Sequence, residues 1–142
     1  MENKNIIYNY LASLEESVRR IKNMDFTFDM ILGDEDVQDL LDRRMQKAIE
    51  SCIDIVIHLA SQLQLPRREK ASDIFLLLAS HKVIDANLAN KLKQAVGFRN
   101  ILVHEYTDVD YTLAYSDIDK KLEDLETFAY QIRAYLQGKG QE

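Results

Sequence analysis

Proline occurs once in 142 residues, glycine four times and cysteine once, and tryptophan is absent. A chain so poor in turn and bulge residues argues for long helices and against a many-stranded β fold. The single cysteine, Cys52, rules out an intramolecular disulfide and any cysteine-built zinc site. No apolar run approaches the roughly 20 residues needed to cross a bilayer. The start, Met-Glu-Asn-Lys-Asn, has no apolar segment of the kind that opens a secretory signal. A cytoplasmic location away from membranes is therefore expected. Basic residues are also in deficit, 18 against 24 acidic ones, for a net charge of -6. That balance weighs against broad non-specific nucleic-acid binding, which needs basic surface. It leaves room for an RNA enzyme with a local basic site.

What is present has a globular profile: 46% hydrophobic and 30% charged residues. The length favours one domain, residues 1–142, with a tail from Gly138 to Glu142 that is expected to fray. Ile6, Ile7, Tyr10, Leu11, Leu14, Val18 and Ile21 recur at helical spacing and predict a first helix over residues 3–24. Met24–Leu32 has aromatic residues but no pairing partner nearby, and reads as a packed connection ending at Gly33. Asp34 or Asp36 caps a long second helix that Pro66 ends. Its apolar face widens at Ile53–Ile57, as expected of a helix with more than one neighbour, a second copy of the chain among them. A polar loop follows, with Arg67, Arg68 and Lys70 as a small basic cluster. Ser72-Asp73 opens a short third helix, and Asp85 caps a fourth. Asp108 or Asp110 caps a final helix to about Leu136, with Val109, Leu113, Ile118, Leu122, Leu125, Ala129, Ile132 and Leu136 facing the core. The expected fold is an all-α, up-and-down bundle of about five helices.

The fourth helix runs into Phe98-Arg99-Asn100-Ile101-Leu102-Val103-His104-Glu105-Tyr106, which brings arginine, histidine and tyrosine within eight residues. Successive residues of an α-helix turn by about 100°. Arg99 and Tyr106 would then share a face, while His104 would point about 140° away from Arg99. A continuous helix would not aim all three at one substrate. Either the helix loosens near His104 or a second chain completes the site. Metal-free RNA cleavage needs a base for the ribose 2′-hydroxyl and an acid for the leaving 5′-oxygen, and histidine suits both. It also needs a fixed cation, and arginine binds phosphate oxygens in a planar, bidentate way. A two-fold dimer would present two such pairs to one groove. The pattern Arg-x4-His is weak by itself. Arg99 can equally salt-bridge an acidic neighbour, and His104 can cap a helix C-terminus.

Over about residues 5–136 the chain resembles the HepT-like branch of the HEPN ribonuclease toxins. The Arg-Asn-x3-His-x-Tyr core, Arg99, Asn100, His104 and Tyr106, is the specific part. The long upstream helix with Gln46–Asp54 and His58, followed by a proline, agrees with it. The resemblance implies a HEPN-like fold and a metal-independent ribonuclease toxin of a type II/VII-like toxin–antitoxin pair. Its cleft would form across a homodimer, and its partner would be a nucleotidyltransferase encoded beside it. It further implies that the partner transfers AMP from ATP to Tyr106. The alternative is a non-catalytic helical binding subunit of a nucleotidyltransferase complex. On these readings Arg99 and His104 are catalytic, Asn100 is supporting, and the RNA is a tRNA or an mRNA. No cofactor is called for.

Other residues read as follows. Glu50, Asp54 and His58 lie at i, i+4, i+8 on one helix stripe, as metal ligands or, more commonly, as a polar seam. Asp54 alternatively supports the Arg-His site from the neighbouring helix. Arg67, Arg68 and Lys70 can hold RNA phosphates or simply be a solvated loop. Cys52 reads as core and His81 as a helix C-terminal cap. Tyr111 and Tyr115 are further hydroxyls open to modification. There is no phosphate-cradling glycine loop and no Ser or Cys triad.

Overall fold

The computed structural model describes residues 3–103 and 110–139, which form seven helices and, among the described residues, no strand. They are α1 (Asn3–Lys22), α2 (Phe28–Gly33), α3 (Glu35–Gln62), α4 (Ala71–Ser80), α5 (Ala86–Val103), α6 (Tyr111–Tyr115) and α7 (Ile118–Lys139). Helix α3 is the spine. Helices α1, α4, α5 and α7 pack on it, α1 lies along α7, and α4 packs against α5. No helix is long and apolar enough to cross a membrane among the described residues.

The apolar stripes form one core. Ile7, Leu11, Leu14, Val18 and Ile21 of α1 meet Leu41, Met45, Ile49, Cys52, Val56 and Leu59 of α3. Phe75 of α4 meets Phe128 of α7 edge-on, with ring centroids 5.8 Å apart. Cys52 is fully buried, as expected, and burial pushes its thiol well above the ordinary range. Of the widened face at Ile53–Ile57, Ile55 is buried, Ile53 is half-buried and Ile57 is exposed.

Asp34 caps α3, its side chain accepting from the N–H groups of Asp36 and Val37. Asp85 begins α5. Its carboxylate accepts from Leu88 N at 2.7 Å and from Gln131 Nε2 at 2.7 Å, while its own N–H donates to Gln131 Oε1 at 2.9 Å. This reciprocal link fastens the start of α5 to α7. The ends of α3 and α4 share a device the sequence does not advertise. Leu65 N donates to Ala60 O and Gln64 N to Ser61 O, each at 3.0 Å. Val83 N donates to Leu78 O and Lys82 N to Ala79 O in the same way. Gln64 and Lys82 hold the left-handed position, φ 56° and 62°, that glycine usually fills.

Three expectations are corrected. Met24–Leu32 is not only a connection, because Phe28–Gly33 is helical. Thr27 caps it, accepting from Met30 N, and Ile31 buries itself in the core. The final helix is two. Asp110 caps α6, and a turn at Ser116-Asp117 shifts the register before α7 begins. As a result Leu113, expected in the core, is 75% exposed, and Tyr115 is buried in its place. The bundle therefore has seven helices rather than about five, although α2 and α6 are only six and five residues long. Asp108 and Val109 lie outside the described residues.

Candidate functional site

Helix α5 buries Leu88, Ala89, Leu92, Val96 and Leu102 and so turns Arg99 toward α3 and its edge with solvent. The Arg99 side chain is 25% exposed, and its Nη1 lies 4.0 Å from Glu50 Oε2 on α3. That is the outer limit of an ion pair, and Glu50 is itself 52% exposed, so the attraction is weak. The Arg99 Nε is buried and finds no hydrogen-bond partner among the described residues. The guanidinium is therefore held in place by its neighbours and only loosely engaged by them. Asn100 is exposed beside it.

Phe98 fixes this turn of α5 from the other side. Its ring meets Tyr115 edge-on at 5.5 Å, and Lys121 Nζ sits 5.2 Å from its centroid. Tyr115 is fully buried and donates to Asp42 Oδ1 at 2.5 Å, while Tyr111 donates to Asp42 Oδ2 at 2.7 Å. One α3 carboxylate thus takes both tyrosine hydroxyls of α6. Burial first, and then the Asp42 hydrogen bond and charge, push the Tyr115 phenol far above its ordinary value. This clamp was missed from the sequence, where two tyrosines four residues apart were the only signal. It leaves Tyr115 unfit as a modification site, since its hydroxyl is buried and engaged.

Helix α5 is described as far as Val103, the residue before His104. His104 and Tyr106 themselves lie outside the described residues. Along α3, the carboxylate within ion-pair range of Arg99 is Glu50, and Asp54 sits half-buried one turn further on. His58 stacks on Tyr10, with ring centroids 5.4 Å apart. The described residues hold no group of three His, Cys, Asp or Glu side chains able to bind a metal. Arg67, Arg68 and Lys70 are exposed on the loop before α4. The two arginines border a groove of about 610 Å³ with Ile57, Leu65 and Pro66. His81 ends α4, as expected, its N–H bonding to Leu77 O and Leu78 O.

A solved structure of the tri-AMPylated Shewanella oneidensis HEPN toxin in complex with MNT antitoxin has the same architecture. It superposes with a TM-score of 0.84 at 33% identity, covering 91% of this chain and 97% of that one. The bundle is thus of the HEPN type. The family described as Ribonuclease HepT-like matches residues 14–132. The mRNA nuclease HepT of Shewanella oneidensis is 33% identical over 129 residues, 91% of this chain and 97% of that protein. The tRNA nuclease HepT of Aphanizomenon flos-aquae is 26% identical over 121 residues, 85% of this chain and 81% of that protein. The chain belongs to the HepT-like ribonuclease family.

Proposed function

We propose that this chain is a metal-independent RNA endonuclease toxin with Arg99 and His104 as its catalytic pair, silenced when a partner nucleotidyltransferase AMPylates Tyr106. The observation that carries the reading is the condition of Arg99. Its guanidinium is partly exposed, only loosely approached by Glu50 and unsatisfied at Nε, on the helix that leads into His104. A buried donor left unpaired costs about 1–3 kcal/mol. A phosphate at the exposed edge of that guanidinium would give it a bidentate partner that none of the described residues supplies. The nuclease names of two relatives, and the AMPylated, antitoxin-bound state of the Shewanella oneidensis HEPN toxin structure, support the same reading.

In this reading one His104 takes the proton of the ribose 2′-hydroxyl, and the oxygen attacks the adjacent phosphorus. The bond from phosphorus to the 5′-oxygen breaks, and a second His104, from the partner of a two-fold homodimer, protonates the leaving oxygen. The ends are a 2′,3′-cyclic phosphate and a 5′-hydroxyl. Arg99 neutralises the charge that builds on the phosphoryl oxygens. Asn100 and Asp54 support the pair, and Arg67, Arg68 and Lys70 hold the RNA backbone further along. An AMP on Tyr106, seven residues from Arg99, adds a phosphodiester charge that competes for the same guanidinium and repels RNA. A non-catalytic binding subunit is the second reading. The Arg99–Glu50 approach favours it, because a purely structural arginine would also seek a carboxylate.

RNA cleavage by the wild type in EDTA separates the two readings. Arg99→Ala and His104→Ala should each lose about 10²- to 10⁴-fold in rate with unchanged melting temperatures. Full activity in His104→Ala overturns the catalytic assignment. Incubation with the partner, ATP and magnesium should add AMP to Tyr106 by peptide mass spectrometry. A Tyr106→Phe protein that is still silenced by a mark elsewhere overturns that part. Light scattering should give a dimer.

A further inference from the structure

The net charge of -6 is not spread evenly. Residues 23–42 hold seven of the 24 acidic residues and none of the 18 basic ones, so the rest of the chain carries 17 acidic against 18 basic. This segment is α2 and the first turns of α3. Asp42 is turned inward to Tyr111 and Tyr115, but Asp25, Asp29, Asp34, Glu35, Asp36 and Asp39 are all exposed. In the same segment as those carboxylates, Phe28, Met30, Leu32 and Leu40 are each 38–41% exposed; on α2, Phe28 and Leu32 share one flank, about 40° apart, and Met30 lies on the other. Ile31 is the one side chain of helix α2 that is buried in the core, and Gln38 Nε2 of α3 donates to Ile31 O at 2.8 Å. The three other large apolar side chains of α2 are left facing outward. Beside them a groove of about 410 Å³ opens between α2 and the turn joining α6 to α7, lined in part by Met24, Phe26 and Phe28.

Several large apolar side chains left exposed within one short segment point to a contact site, and here the charge around them selects what can cover it. RNA and an anionic membrane are repelled. A second copy placed across a two-fold axis would set this charge against itself. A protein with lysines and arginines around an apolar centre is complementary on both counts. Position narrows the choice further. Helix α2 packs against α6, which begins at Tyr111, five residues after Tyr106. Five residues of chain span at most about 18 Å. A protein seated on α2 is therefore within one domain's reach of Tyr106.

We infer that the exposed face of α2 and of the first turns of α3 is the docking surface for the partner nucleotidyltransferase, which meets it with a basic, apolar-centred face. The inference rests on the toxin–antitoxin reading above, since it supplies the partner. It also resolves a difficulty of charge. An acidic protein that must handle RNA keeps its acidity at one end, and the antitoxin uses that end.

The test is calorimetric titration of the nucleotidyltransferase encoded beside this chain into the full-length protein, at two salt concentrations. The variants are Asp25→Lys/Asp39→Lys and Leu32→Ser/Leu40→Ser. All four side chains are exposed, so circular dichroism should show the wild-type fold. The charge pair should weaken binding at least tenfold at low salt and lose most of the salt dependence. The apolar pair should weaken binding tenfold and keep the salt dependence. AMP addition to Tyr106 should slow in both, while RNA cleavage by each variant alone stays at the wild-type rate. Wild-type affinity in both variants overturns the docking surface but leaves the toxin reading standing, provided the wild type cleaves RNA and accepts AMP. A wild type that neither cleaves RNA nor binds the nucleotidyltransferase overturns both. Variants that change the dimer by light scattering, with partner affinity intact, show a self-contact and also overturn it.

Discussion

Helices α1 and α5 are described over 20 and 18 residues, and each buries an apolar stripe. In α1 the pattern holds from Ile7 onward, with Ile6 alone of the stripe exposed. Ile7, Leu11, Leu14, Val18 and Ile21 are all buried, and the charges from Glu15 to Lys22 are paired. Glu15 takes Arg133 in a two-bond contact, Glu16 takes Arg19 and Arg20, and Lys22 takes Glu126. In α5 the buried stripe is as regular as far as Val96. Beyond it Ile101 and Val103 are exposed and Arg99 keeps an unpaired Nε. The local rules hold along α1, which only packs, and lapse in the last turns of α5, where the proposed site lies.

The largest effect that would sharpen this comparison is in the cores of the two helices. Leu11→Ala in α1 should cost about 2–5 kcal/mol in urea unfolding. Ile101→Ala in α5, at a site 56% exposed, should change stability by no more than about 0.5 kcal/mol. Equal losses would break the contrast. A smaller effect comes from the clamp behind Phe98. Tyr115→Phe removes a buried hydroxyl from Asp42 and should cost about 1–3 kcal/mol. Its pH dependence has a definite sign. Folding raises the Tyr115 phenol above its unfolded value, so its contribution is complete below pH about 10 and is lost as pH rises beyond that. Unfolding free energy measured from pH 9 to 11 should fall more steeply in the wild type than in Tyr115→Phe. The smallest effect is Gly97→Ala, where an added Cβ meets nothing within 4 Å. It should stabilise α5 by about 0.5–1 kcal/mol, read as a rise in melting temperature.

Much of the fold was legible because five long apolar stripes keep one period and have named caps. Asp34 and Asp85 act at the positions their spacing suggested. What escaped was local. Helix α2 is held by a threonine cap, one buried isoleucine and the Gln38 side chain from α3, and six residues carry too little periodicity to read. The break at Ser116-Asp117 carries no glycine or proline, so Leu113 looked like a core residue and Tyr115 did not. The ends of α3 and α4 hide in the same way, with glutamine and lysine where glycine is the usual mark. At the site, Arg99 stood out by residue type and spacing. Its neighbour Glu50 appeared in the sequence only as part of a metal-like stripe, because nothing linear links residue 50 to residue 99. Asp42 was invisible for the same reason, 69 and 73 residues from its two tyrosines.

Cys52 has a consequence for anyone who wants to watch this protein work. Its thiol is sealed between helices and held far from ionisation, so maleimides and methanethiosulfonates find no thiolate on the native fold. The wild type is in effect a blank background for thiol labelling. A cysteine placed at Ile101 or Leu40, both exposed, would be the sole reactive handle. It would carry a fluorophore or spin label at one chosen end of the molecule without first removing the native residue.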